Sequence, residues 1–104
     1  MPYARIHMAE WEDNDVMREH YASMHPIVKK LFPEIIAFFQ VETSETSSLV
    51  ISVYKDEAAA ERALKQRDEW HKDKPFKDIF AHAGLVGAHY VEQEQVDALL
   101  KSGS

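Results

Sequence analysis

The chain has 104 residues, no cysteine, 45% hydrophobic content and a formal net charge of −6. Such a length admits one hydrophobic core, and the lack of thiols removes disulfides, thiolate nucleophiles and Cys-ligated metals. An acidic chain whose Lys and Arg are scattered makes a poor partner for a phosphate backbone, which argues against nucleic-acid binding.

The N-terminal stretch MPYARIHMAE lacks an apolar signal segment, and no run approaches the roughly 18 apolar residues of a membrane span. The expectation is a cytoplasmic protein with no membrane partner. ARIHMAEW, residues 4–11, alternates, with Ile6 and Met8 on one face and Arg5, His7 and Trp11 on the other, and reads as a strand. Asp13-Asn14-Asp15 then offers a helix cap and early acids. Met17, Tyr21, Met24, Val28 and Leu31 form one amphipathic stripe. Pro26 predicts a kink or break near Met24-His25.

Pro33 ends that helix. IIAFFQVE, residues 35–42, and LVISVY, residues 49–54, read as the strands of a hairpin joined by the polar TSETSS. Asp56 caps a second helix, DEAAAERALKQRDEW, built of good helix formers. Pro75 interrupts it, and PFKDIF is expected to form a further short turn. LVGAHYV, residues 85–91, is the expected last strand, and residues 94–100 a short terminal helix through Val96, Leu99 and Leu100.

The order β-α-β-β-α-β is an α+β, ferredoxin-like arrangement: one antiparallel sheet with helices on one face. It implies a single domain over residues 1–104, with its core at about 4–92 and an extension at 93–104. In this arrangement the first strand lies between the third and fourth, which would set His7 and His89 on neighbouring strands. Strands two and three are apolar on both faces, so a second subunit is expected to cover the face away from the helices, as a homodimer.

Three stretches, MAEWEDND, LFPEIIAFFQVE and ISVYKDEAAAERAL, together with WHKDKPFKDIF, resemble the antibiotic biosynthesis monooxygenase-like group of the dimeric α/β-barrel superfamily. The likeness spans residues 4 to about 92, with Glu34 where the group often has Gly. The resemblance implies a homodimer with a small-molecule pocket in each subunit, between sheet and helices. It further implies cofactor-free oxidation of a small aromatic or enolisable substrate, or binding without chemistry. A third implication is haem degradation, for which Trp70 and Phe76 match relatives. Phe80 stands where those relatives carry the haem-ligating His, His82 follows two residues later, and His7 stands nearest to their strand-one Asn.

Along the second helix Ala59, Ala60, Ala63, Leu64 and Trp70 span one arc with Arg67 near its centre. A guanidinium on an apolar face needs an anion, an acid on the sheet edge, or an escape to water. Arg67, His71 and His7 are the candidate catalytic residues, stabilising and deprotonating the substrate. Trp70, Phe76, Phe80, His82, Tyr54 and His89 are the candidate substrate-binding residues. The six His show no local metal-ligand spacing, so neither metal nor cofactor is expected.

Overall fold

The computed structural model describes residues 1–70 and 76–102. Strand β1 spans Tyr3–Trp11, helix α1 Asn14–Met24, a 3₁₀ turn His25–Ile27, and the single turn α2 Val28–Leu31. Strands β2 (Ile35–Glu42) and β3 (Ser47–Tyr54) form the hairpin. Helix α3 spans Glu57–Trp70, β4 Phe76–Leu85 and α4 Gln93–Ser102. The strands make one antiparallel sheet in the order β2-β3-β1-β4. This is the expected ferredoxin-like architecture, with β1 between the third and fourth strands.

Local chemistry sets the element ends. The Asp13 carboxylate accepts the Val16 amide at 2.8 Å and opens α1; Asp56 accepts the Ala59 amide at 2.8 Å and opens α3. Pro26 falls inside the 3₁₀ turn, so the long amphipathic stripe is bent as its sequence requires. The Arg62 guanidinium grips Glu34 with two 2.7 Å bonds, tying α3 to the entry of β2. This gives the Glu34 departure from the resembled group a structural role.

The last strand corrects the sequence reading. Residues 76–80 are strand rather than a helical turn, and β4 ends at Leu85, where 85–91 was expected to begin a strand. The cause is a bulge. Met8 pairs with Phe80 but Ala9 pairs with Asp78, so Ile79 is an extra residue on β4. It breaks the alternation and leaves Phe76, Ile79 and Phe80 at spacings that imitate a helix. Beyond Leu85 the ladder continues only through the Val86 amide, which donates to the Pro2 carbonyl at 3.0 Å. His89 therefore does not sit on a strand beside His7. A second bulge, at Ile36 between Ile35 and Ala37, turns Ile35 to the helix side while Ala37, Phe39 and Val41 face away.

Cross-strand partners share a face. Arg5, His7, Ala9 and Trp11 point towards the helices with Ser48, Val50, Ser52 and Tyr54. Ile6, Met8, Leu49, Ile51 and Val53 point the other way. Two buried clusters lie under the helices: Phe32, Ile35, Tyr54, Ala59, Ala60 and Ala63, and then Ala9, Trp11 and Met17. Between them Ser48 accepts the Trp11 indole N–H at 3.0 Å and meets the Tyr21 hydroxyl at 3.0 Å, so both ring tips are satisfied in a dry environment. Met17 is fully buried. Met17→Ala should cost about 2–5 kcal/mol in chemical denaturation, whereas Asp13→Ala, which removes only a cap, should cost about 1 kcal/mol.

Candidate functional site

Three expected site residues meet on the helix side of the sheet. His7 comes from the middle of β1, Tyr54 from the end of β3 and Arg67 from the last turn of α3. With Arg5, Tyr21, Met24, Phe32, Phe38, Val50 and Ser52 they line a narrow cavity of about 20 Å³. That is room for a single water.

Arg67 is only 9% exposed. Its Nη2 donates to Asp78 Oδ1 at 2.6 Å and its Nη1 to Asp68 Oδ1 at a long 3.5 Å. Its buried Nε has no hydrogen-bond partner among the described residues. Of the outcomes open to a guanidinium on an apolar face, the acid on the edge strand is the one realised, and it takes one arm. The Ile79 bulge is what turns Asp78 to this side. The Phe76 ring lies 5.9 Å from the guanidinium carbon and covers it.

Burial, and then Arg67, push the His7 imidazole down to about 4; Arg5 adds to this and Asp78 opposes it. His7 is thus neutral at physiological pH. Burial raises the Tyr54 and Tyr21 phenols, so both remain protonated. The Arg5 guanidinium is lowered by burial and by Arg67.

The remaining expected residues separate. Trp70 packs its ring 5.0 Å from His20, and Phe76 stacks 5.0 Å from Trp11, which forms an aromatic wall beside the cavity rather than part of its lining. Phe80 and His82 pair with Met8 and Ile6 and so lie on the opposite face of the sheet, their rings 5.5 Å apart. Neither reaches the helix-side cavity. His82 is likewise remote from Trp70, so the helical spacing that a haem-degrading relative would need is absent. His89 lines a wider space of about 600 Å³ beside Ile36, Phe39, Val86, Val96 and Leu100, formed by the C-terminal segment against β2. His71 and the break at Pro75 lie outside the described residues. Among the described residues no three His, Asp or Glu side chains group as metal ligands.

Sequence reasoning missed Arg5, Tyr21 and Asp78. The alternation that placed Arg5 on the face of His7 was the signal for it; Asp78 was hidden by the bulge.

No family model matches the chain, and no curated protein matches its sequence. Solved structures do. A dimeric ferredoxin-like protein from an uncultured marine organism superposes with a TM-score of 0.67 at 10% identity, over 88% of this chain and 100% of that one. SnoaB, a cofactor-independent oxygenase from Streptomyces nogalater, gives 0.63 at 11% identity, over 88% and 98%. An ethyl tert-butyl ether D (EthD) family protein from Bacillus halodurans gives 0.58 at 17% identity, over 83% and 99%. These likenesses show the ferredoxin-like fold that the strand order implies.

The His7 value carries a pH signature. Below pH 6.5 the unfolded chain binds a proton at this residue that the folded chain refuses until about pH 4. Stability should therefore fall as pH drops through that window, by about 3 kcal/mol across its full span. NMR titration should show a His7 midpoint near 4. The difference in denaturation midpoint between pH 7 and pH 4.5 should be smaller in His7→Phe than in the unmodified chain.

Proposed function

We propose that the protein is a homodimeric α/β-barrel oxygenase that oxidises a small aromatic or enolisable substrate without a cofactor, in the cavity between sheet and helices. The observation that carries this reading is Arg67, nine-tenths buried at a cavity that also presents neutral His7 and the Tyr54 phenol. A fixed positive charge in a dry site favours the deprotonated form of a bound enol or phenol.

The chemistry balances without an added redox group. His7 accepts the substrate proton, and the enolate forming beside it raises the affinity of an otherwise weak imidazole base. The resulting carbanion forms a C–O bond with O₂ to give a peroxide anion, which takes the proton back. Loss of water from the hydroperoxide leaves a carbonyl, so one oxygen atom is inserted and the other departs as water. Trp70 and Phe76 contribute the apolar wall that shields Arg67. A ligand larger than one water enters as Met24 and Phe38 are displaced, and methionine is well suited to that movement. The narrowness of the closed cavity is the observation favouring the second reading, a ligand-binding barrel without catalysis.

The dimer follows from the other sheet face. Ile6, Met8, Leu49, Ile51 and Val53 form a continuous apolar surface, and on the outer strands Phe39 and Phe80 are 42% and 37% exposed. A second copy stacked on this face would cover it.

O₂ uptake should be measured with a panel of phenols and 1,3-diketones, with neither flavin nor metal added. Arg67→Gln should reduce turnover roughly 100-fold. It should cost little stability, because Asp78 is half exposed and hydrates once its partner is lost. Trp70→Ala should cost stability as well, though less than the about 3–5 kcal/mol of a fully buried aromatic, since Trp70 is half-buried. If Arg67→Gln destabilises as much as Trp70→Ala, the ion pair is structural and the reading fails. Light scattering should report about twice the 12.0 kDa chain mass, and Ile51→Lys should return monomer.

A further inference from the structure

We propose that the ligand of this cavity is an enolisable or phenolic carboxylic acid, its carboxylate bound by Arg5 and its enol or phenol oxygen directed at Arg67 and His7. This names the substrate class and rests on reading the cavity as a ligand site. The chain has four arginines. Arg18 reaches Glu42, Arg62 reaches Glu34 and Arg67 reaches Asp78, whereas among the described residues no carboxylate lies within ion-pair distance of Arg5. Arg5 nevertheless points to the helix side, half-buried at the same cavity as Arg67.

Arg5 and Arg67 bring two positive charges to the cavity and Asp78 one negative. Asp68 is mostly in water, at 3.5 Å from Arg67, and counts for little. Among the described residues one positive charge is left over, and Nε of Arg67 is a buried donor still without an acceptor. A monoanion neutralises this remainder. When the substrate's hydroxyl ionises, its proton passes to His7, so the site gains one positive charge as the ligand gains one negative. The balance therefore holds before and after deprotonation.

Met24, Phe32, Phe38 and Val50 give the cavity apolar walls that a ring would meet once Met24 and Phe38 are displaced, with the polar atoms of Arg5, His7, Ser52, Tyr54 and Arg67 among them. A phosphate dianion would exceed the available charge. A planar carboxylate matches the fork of one guanidinium.

Isothermal calorimetry with salicylate, methyl salicylate, phenol and inorganic phosphate tests the proposal on the full chain. Salicylate should bind, while the neutral ester and phenol bind roughly 10- to 100-fold more weakly and phosphate does not compete. Arg5→Gln should lower salicylate affinity by the same factor and leave that of phenol unchanged. Arg5→Lys retains the charge without the fork and should lose less. If Arg5→Gln fails to fold, the ester comparison on the unmodified chain and the Arg5→Lys variant decide the matter. Equal affinity for acid and ester overturns the proposal, as does salicylate binding that is insensitive to Arg5. Failure here can be told apart from failure of the oxygenase reading. O₂ uptake with neutral phenols and no preference for acids leaves oxygenation standing and removes the carboxylate. Arg5-dependent salicylate binding without O₂ uptake by any phenolic acid does the reverse.

Discussion

The parity of β1 is the constraint on which the rest of the structure depends. As a central strand it is hydrogen-bonded on both sides, so its alternation dictates that of β3 and of β4 alike. One face receives Arg5, His7, Ala9 and Trp11; the other receives Ile6 and Met8. The polar strand residues Arg5, Ser48 and Ser52 gather under the helices because they lie in phase with His7. Every aliphatic group on the far side lies in phase with Ile6. A slip by one residue would exchange a charged cavity for a greasy surface, and neither the helices nor a stacked partner could tolerate that exchange.

Charge is handled within this frame by a sparing use of acids. Among the described residues Asp78, half exposed on the edge strand, makes the close ion pair with Arg67, and Asp68 stands at 3.5 Å. Asp13 and Asp56 serve as helix caps. Among the described residues the cavity is thus lined by more positive than negative groups while the chain as a whole is acidic, and the proposed anionic ligand rests on that contrast. Neutral His7 is part of the same economy of charge, since burial and then the two guanidinium groups disfavour a third cation unless an anion accompanies it.

Most of the architecture was legible in the sequence because the periodic elements obey simple rules. The β1 alternation, the Asp13 and Asp56 caps, the bend at Pro26 and the hairpin strands all follow from local chemistry that tertiary packing does not override. The central position of Arg67 on the buried face of α3 follows from helical spacing, and the structure bears it out. What was not legible was β4. An extra residue in an edge strand changes the phase of the pattern halfway along, and no local signal distinguishes that from the start of a helix. The error propagated to the site, because Phe80 and His82 were placed by helical spacing and His89 by a strand that ends earlier. Arg5 was legible in orientation but not in role, since a lone arginine on a strand acquires meaning only from the company of Arg67 and Asp78.

The two bulges have a bearing on how the sheet can meet another. Ile79 interrupts β4 and Ile36 interrupts β2, and these are the two lateral borders of the sheet. An irregular border presents its amides and carbonyls out of step, so a neighbouring strand cannot zip onto it over any length. Sideways extension into a continuous ribbon, the usual hazard of an open sheet, is thereby frustrated at both ends. The broad aliphatic face is left as the surface on which the proposed dimer would stack, a closed and self-limiting geometry in contrast to open-ended growth.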